Sequence, residues 1–203
     1  MDKIGIGMNL SYITKRGHEI ETVFEDLAQL RITVFKAFPY LYEGSMAYEK
    51  EYLKTYTLSE RSFLFAVYCE GRMVGATTCI PLNDETDEVR KPFQQAHFDL
   101  STIFYFGESI LLPQFRRLGL GHRFFEAREA HACSFGTFKL TCFCAVVRPN
   151  NYPLKPKGYR PLDEFWTKRG YKKEPALQSQ FDWLDIGESV STFKPMVYWM
   201  KSI

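Results

Sequence analysis

Glycine and arginine crowd into one short run, Arg116-Arg117-Leu118-Gly119-Leu120-Gly121, between an apolar segment stopped by Pro113 and a stretch of helical periodicity. A loop that opens a helix leaves its first backbone N–H groups unpaired at the positive end of the helix dipole, which makes an anion site. Gly119 and Gly121 remove Cβ atoms where a ligand would approach the main chain, and Arg116 and Arg117 add charge that a pyrophosphate rewards. A dinucleotide-binding turn wants a third glycine where Phe124 stands, and a nucleoside-triphosphate loop wants Gly-Lys-Ser/Thr, which is absent. Taken alone, the six residues also fit a tight strand-to-helix turn with solvated arginines.

The second residue with chemical potential is Glu108, in the apolar run Phe104 to Leu112. Under simple strand alternation it shares a face with Phe104, Phe106, Ile110 and Leu112, and desolvation there should raise its pKa towards a value useful to a general base. The competing reading is a carboxylate tied to backbone or to an arginine, for example Arg148. Cys142 and Cys144 lie two apart on a strand and therefore on one face, where core packing outweighs nucleophilic chemistry because no histidine is in register to activate them. His131, on the helix after the loop, reads as a satisfied buried histidine. The five cysteines show no paired CxxC spacing and the four histidines complete no zinc pattern, so no metal is expected and the compartment is a reducing one.

The elements that must position these residues follow from periodicity. His18 to Phe38 carries an apolar stripe at three- and four-residue intervals and is expected to be one amphipathic helix ended by Pro39. Met46 to Leu58 is a second helix, with Tyr48, Tyr52 and Tyr56 in a row. Ser62–Cys69 and Met73–Leu82 form a hairpin across Glu70-Gly71-Arg72, and Asn83 to Leu100 is a charged loop with a short helix. Strand Ile103–Leu112, the Gly/Arg loop, helix Gly119–Phe135 and strand Phe138–Val147 make a right-handed crossover with parallel strands. A four-proline loop from Arg148 to Pro161, a helix over Leu162–Arg169 and strands over Gln180–Leu184 and Pro195–Met200 complete the order. The fold class is mixed α/β (α+β), one domain over residues 1–203, with helices on both faces of the sheet.

Whole-chain properties narrow the partners. Twenty-six Lys and Arg against 24 Asp and Glu leave +2, so no global field favours nucleic acid or an anionic membrane. No window approaches a membrane-spanning length, and the start, Met1 to Leu10, lacks the pattern of a secretion signal. A cytoplasmic protein is expected, and a homodimer is compatible with the sequence.

Phe115-Arg116-Arg117-Leu118-Gly119-Leu120-Gly121 resembles the Arg-x-x-Gly-x-Gly signature of the GNAT superfamily of N-acetyltransferases, and the element order resembles theirs along nearly the whole chain. The specific part is Glu108 to Gly121. Runs such as Phe38-Pro39-Tyr40-Leu41-Tyr42, Phe106-Gly107-Glu108-Ser109 and Phe143-Cys144-Ala145-Val146-Val147-Arg148-Pro149 are similar to a bacterial GNAT subgroup without an assigned substrate. The resemblance implies a mostly antiparallel sheet of six to seven strands with one splayed parallel pair, and transfer of an acetyl group from acetyl-CoA to the amine of a small molecule or peptide. It implies that pantetheine pairs with the opened main chain of Ile110, Leu111 and Leu112, and that pyrophosphate rests on the N–H groups of Arg116, Arg117, Leu118, Gly119, Leu120 and Gly121. Arg117 stands where the family usually has glycine, making the loop bulkier and more cationic.

In similar enzymes a strand glutamate works through a water as base, which places Glu108 in that role. The usual proton donor is missing: aligned on Gly170-Tyr171, Tyr159 falls where the family has asparagine and Trp166 where it has tyrosine. Tyr159 or Tyr152 can substitute from the preceding loop, or solvent can supply the proton. Asn151 or Asn150 is placed to bond pantetheine amides. The family's acceptor pocket, between the first helices and last strands, falls on Tyr40, Tyr42, Glu43 and the tyrosine row, aromatic walls that suit a cationic amine. Two rival readings keep the same fold: a non-catalytic acyl-CoA-binding regulator, and an acyltransferase with another donor such as acyl carrier protein.

Overall fold

In the computed structural model, which describes residues 9–203, one seven-stranded sheet runs in the order β1-β2-β3-β4-β5-β7-β6. The strands are β1 (Leu10–Arg16), β2 (Phe63–Cys69), β3 (Arg72–Pro81), β4 (Ile103–Leu111), β5 (Leu140–Val146), β6 (Lys172–Trp183) and β7 (Thr192–Ser202). The helices are α1 (Phe24–Phe35), α2 (Met46–Leu58), α3 (Asp87–Gln95), α4 (Leu120–Cys133) and α5 (Asp163–Lys168). Every neighbouring pair is antiparallel except β4 and β5. Most of the first ten residues, Met1 to Met8, lie outside the described residues, and with them most of the segment read for a secretion signal.

Three expectations change. The stripe from His18 to Phe38 is not one helix: Gly17–Val23 winds as a 3₁₀ helix, and α1 begins at Phe24 and ends at Phe35. The tighter turn suits a segment whose N-terminal end hangs on β2, where Gly17 N–H donates to the Ser62 hydroxyl at 3.1 Å. Strand β1 precedes it as an edge strand antiparallel to β2, an element not anticipated. Strand β6 starts eight residues before the expected Gln180, with an irregularity between Glu174 and Gln178 around Pro175, where proline removes a ladder donor.

Elsewhere the patterns hold. Helix α2 spans Met46–Leu58 with the Ser45 hydroxyl accepting from Tyr48 N–H, a standard N-cap. The β2–β3 turn takes positive φ at both Glu70 and Gly71, the conformation a two-residue hairpin needs. Helices α1, α2 and α3 cover one face of the sheet and α4 and α5 the other. Tyr105, Cys142, Cys144 and Tyr198 point to the first face, while Phe104, Phe106, Phe143 and Trp199 pack with Phe125 of α4 and Trp166 of α5. Cys142 and Cys144 are buried with thiols pushed up by burial, which fits core packing. His131 stacks on Phe63 at 4.6 Å, its Nε2 bonds to the Arg61 carbonyl at 2.9 Å, and burial lowers its pKa.

Under α2 lies a buried carboxylate with a measurable signature. Tyr56 donates its hydroxyl to Glu85 Oε1 at 3.1 Å, and burial pushes the Glu85 carboxyl up to about 7. The folded chain therefore holds a proton that the unfolded chain releases near pH ~4.3. That contribution to stability is complete below the unfolded pKa and is lost as pH rises through about 7. Glu85→Gln should flatten this decline, worth up to about 4 kcal/mol, in urea midpoints taken across the window.

Candidate active site

The parallel pair is short by construction. Strands β4 and β5 match only at Ile103, Phe104 and Tyr105 against Leu140, Thr141 and Cys142. Beyond Tyr105, β4 runs on to Leu111 and β5 to Val146 without pairing, so the strands diverge and leave β4 main chain uncovered on that side. Ile110, Leu111 and Leu112 lie on this unpaired stretch, held on the other side by β3 through Gly75 opposite Leu111 and the Leu112 N–H to Val74 carbonyl bond of 2.9 Å.

A β-bulge shapes the opening. Thr77 faces Ser109 and Cys79 faces Phe106, so Gly107 and Glu108 together oppose Thr78. Only glycine fits at 107: a Cβ there would stand 2.0 Å from the Tyr56 hydroxyl and 2.7 Å from Thr78 Oγ1. The Glu108 carbonyl accepts from Thr77 Oγ1 at 2.7 Å and from Arg128 Nη1 at 3.4 Å.

The bulge corrects the alternation expected for Glu108. Phe104 and Phe106 pack against α4, but the extra residue turns Glu108 to the opposite face, against α1. Its partner is Arg31, not Arg148. Arg31 Nη1 donates to Glu108 Oε2 and its Nε to Glu49 Oε2, a buried pair of carboxylates sharing one guanidinium. Glu108 is 4% exposed, and its Oε1 has no partner among the described residues. Burial raises the Glu108 pKa, with the Arg31 charge opposing. Arg31 and Glu49 were visible in the sequence as charges on the apolar faces of α1 and α2, four residues from Leu27 and Leu53.

Two cavities meet at this carboxylate. One, of about 320 Å³, fills the wedge between β4 and β5 and is lined by Phe106 to Ser109, Phe143 to Asn150, Arg128, Tyr159 and Trp166. The other, of about 570 Å³, lies on the α1/α2 face against Tyr42, Tyr48, Tyr52, Phe181 and Trp183. Phe35, Tyr40, Gly107, Glu108 and Cys144 line both.

No residue of the glycine loop lines either cavity. Arg116 N–H donates to Pro113 carbonyl, but the N–H groups of Arg117, Leu118, Gly119, Leu120 and Gly121 have no acceptor among the described residues. Gly119 caps α4 at φ 78° and ψ −3°, and Arg117 takes φ 65°. Tyr159, half-buried, lines the first cavity; burial raises its hydroxyl pKa and the Arg116 charge opposes the rise.

Other expected residues separate. Asn150 lines the wedge, while Asn151 is exposed and does not. Tyr40 stands at the junction and Tyr42 in the second cavity, but Glu43 is an exposed residue that donates its N–H to Leu184 carbonyl. Tyr152 bonds Asp185 at 3.2 Å. Arg148 is a clamp, reaching Asp185 and the carbonyls of Pro39 and Tyr40.

No family model and no curated protein matches the sequence. Solved structures do. The GNAT-family acetyltransferase from Streptococcus pneumoniae superposes with TM-score 0.56 at 12% identity, covering 95% of this chain and 100% of that one. This chain has the GNAT fold. NAA60 from Arabidopsis thaliana in complex with a bisubstrate analogue gives TM-score 0.60 at 10% identity over 95% of this chain and 98% of that one. The PaiA N-acetyltransferase from Thermoplasma acidophilum in complex with coenzyme A gives 0.53 at 11%, over 97% and 100%. At these identities the shared property is the fold, and on this GNAT scaffold the chemistry rests on the chain's own residues. Among the described residues no cluster could hold a metal ion and no helix is long and apolar enough to cross a membrane.

Proposed function

We propose that the protein is an N-acetyltransferase that moves the acetyl group of acetyl-CoA to a primary amine of a small molecule or peptide by direct attack. The observation that carries this reading is the meeting of two cavities at a buried carboxylate, Glu108, on a strand that leads into a helix-opening turn with five unpaired N–H groups.

The donor side suits coenzyme A. Five N–H groups at the start of a 14-residue helix, with Arg116 and Arg117 beside them, hold a pyrophosphate by hydrogen bonds and dipole. The uncovered β4 edge supplies main-chain partners to the amides of an extended pantetheine arm, in the manner of an added strand. The acetyl thioester contributes an activated carbonyl and a thiolate leaving group.

The acceptor side suits an amine that arrives as an ammonium. Glu108, which lines both cavities, takes the proton, directly or through water; the lone pair then attacks, the C–N bond forms, the C–S bond breaks, and the second proton of the new amide nitrogen leaves to water. The charge that leaves on sulfur meets two groups on the wedge wall. Arg128 is 2% exposed, has no carboxylate partner among the described residues, and stacks on Phe106 and Phe125. An unpaired buried guanidinium is costly and finds its counterion in the thiolate. Tyr159, kept protonated by burial, supplies the proton that makes free thiol. A screen of amines by thiol release tests the reading: turnover with some primary amines and none with alcohols of the same shape is expected. Absence of release with every amine, from protein that binds acetyl-CoA, would leave a binding protein in place of an enzyme.

A further inference from the structure

The acceptor cavity carries more negative charge than one amine uses. Its lining contains four carboxylates, Glu51, Glu88, Glu108 and Asp182, and one guanidinium, Arg31. Arg31 is already committed to Glu49 and Glu108. Glu51 is paired on the surface with Lys54. Glu88 and Asp182 are exposed at the mouth and have no ion-pair partner among the described residues. They come from different elements, α3 and β6, and line the same cavity as Tyr48 of α2, which is 51% exposed. Burial raises the Tyr48 hydroxyl pKa, Arg31 opposes, and Glu49, Glu88 and Asp182 each add to the rise.

Burial separates the two acidic positions. Glu108 lines the cavity as a residue 4% exposed, while Glu88 and Asp182 line it as exposed residues. The rings of Tyr40, Tyr42, Tyr52, Phe181 and Trp183 line the same cavity, a wall that favours methylene groups and cations over anions. A substrate with a carboxylate at its far end would meet Glu88 and Asp182 and be repelled.

Building on the amine-acetylating reading, we propose that the acceptor is a diamine or polyamine: one nitrogen reacts at Glu108 and a second, still protonated, sits at the exposed end of the cavity, which Tyr48, Glu88 and Asp182 line. Glu88 and Asp182 then act as specificity residues, through binding and not through the chemical step.

Three amines with the same carbon chain and different far ends test this. Cadaverine carries a second ammonium, pentylamine a methyl group and δ-aminovalerate a carboxylate. The kcat/KM for cadaverine should exceed that for pentylamine by about tenfold, and that for δ-aminovalerate by more, with the preference shrinking as salt is added. In the Glu88→Gln, Asp182→Asn double variant the cadaverine-to-pentylamine ratio should fall towards parity, chiefly through KM. Equal kcat/KM for cadaverine and pentylamine, or a ratio unmoved by the double variant, would overturn the second-charge subsite while leaving amine acetylation standing. Failure of all three amines in protein that binds acetyl-CoA would overturn both.

Discussion

Glu108→Gln lowers kcat by about 100-fold or more, the usual contribution of a positioned general base, while acetyl-CoA still shifts the melting temperature. The substitution keeps the shape of the side chain and leaves Arg31 its bond to Glu49, so the wedge and the loop stay built. What disappears is the ionisable group of a buried carboxylate that lines both cavities. The pH profile distinguishes this from a structural defect. Burial raises the Glu108 pKa, so wild-type kcat/KM climbs as pH rises through that value and the carboxylate becomes able to accept a proton. The variant loses that limb and follows the ionisation of the amine alone, so its deficit is deepest at low pH, where free amine is scarcest. A variant with the same turnover as wild type at every pH would remove Glu108 from the mechanism.

Gly119→Asp abolishes the stabilisation that acetyl-CoA gives. Ligand at about 100 times its Kd adds roughly 2.7 kcal/mol to the folded state, or roughly 5–10 °C for a chain of this size. The new carboxylate would stand in open space at the mouth of five N–H groups, where a Cβ meets no atom within 4 Å, so the repulsion falls on the ligand and not on the fold. The positive φ of 78° at this position costs any side chain some strain, and aspartate tolerates it better than most. Gly119→Asn, isosteric and uncharged, separates the terms: it should retain most of the shift. A full shift in the aspartate variant would take the pyrophosphate away from this loop.

How much of this was legible before the fold was known depends on the range of the interactions. The loop and its crossover were readable because each signal is local: proline ends β4, glycine takes the left-handed cap, and apolar spacing carries α4. The splayed pair could be stated only through resemblance, since nothing in β5 announces that pairing stops after Cys142. Glu108 was found by its oddity in an apolar strand, yet its direction was misjudged because a bulge reverses parity and depends on β3, about thirty residues earlier. Arg31 and Glu49 stood on the buried faces of α1 and α2, but their meeting with a strand 77 residues from Arg31 is set by packing. Strand β1 escaped because an edge strand buries little and shows weak alternation.

The structure also explains why the tyrosine row divides its labour. Three residues at four-residue spacing drift around the helix, so Tyr56 is buried against the bulge, Tyr52 lies along the cavity wall and Tyr48 reaches its mouth. One helix thereby senses both ends of the acceptor site.

The most direct measurement is an amide ¹H–¹⁵N titration of the protein with acetyl-CoA. The largest shifts should fall on the N–H groups of Arg117, Leu118, Gly119, Leu120 and Gly121, followed by main chain on the open side of β4 from Phe106 to Leu111. If those five resonances stay fixed while others move, or if nothing moves, coenzyme A does not bind where the unpaired turn and the opened sheet place it.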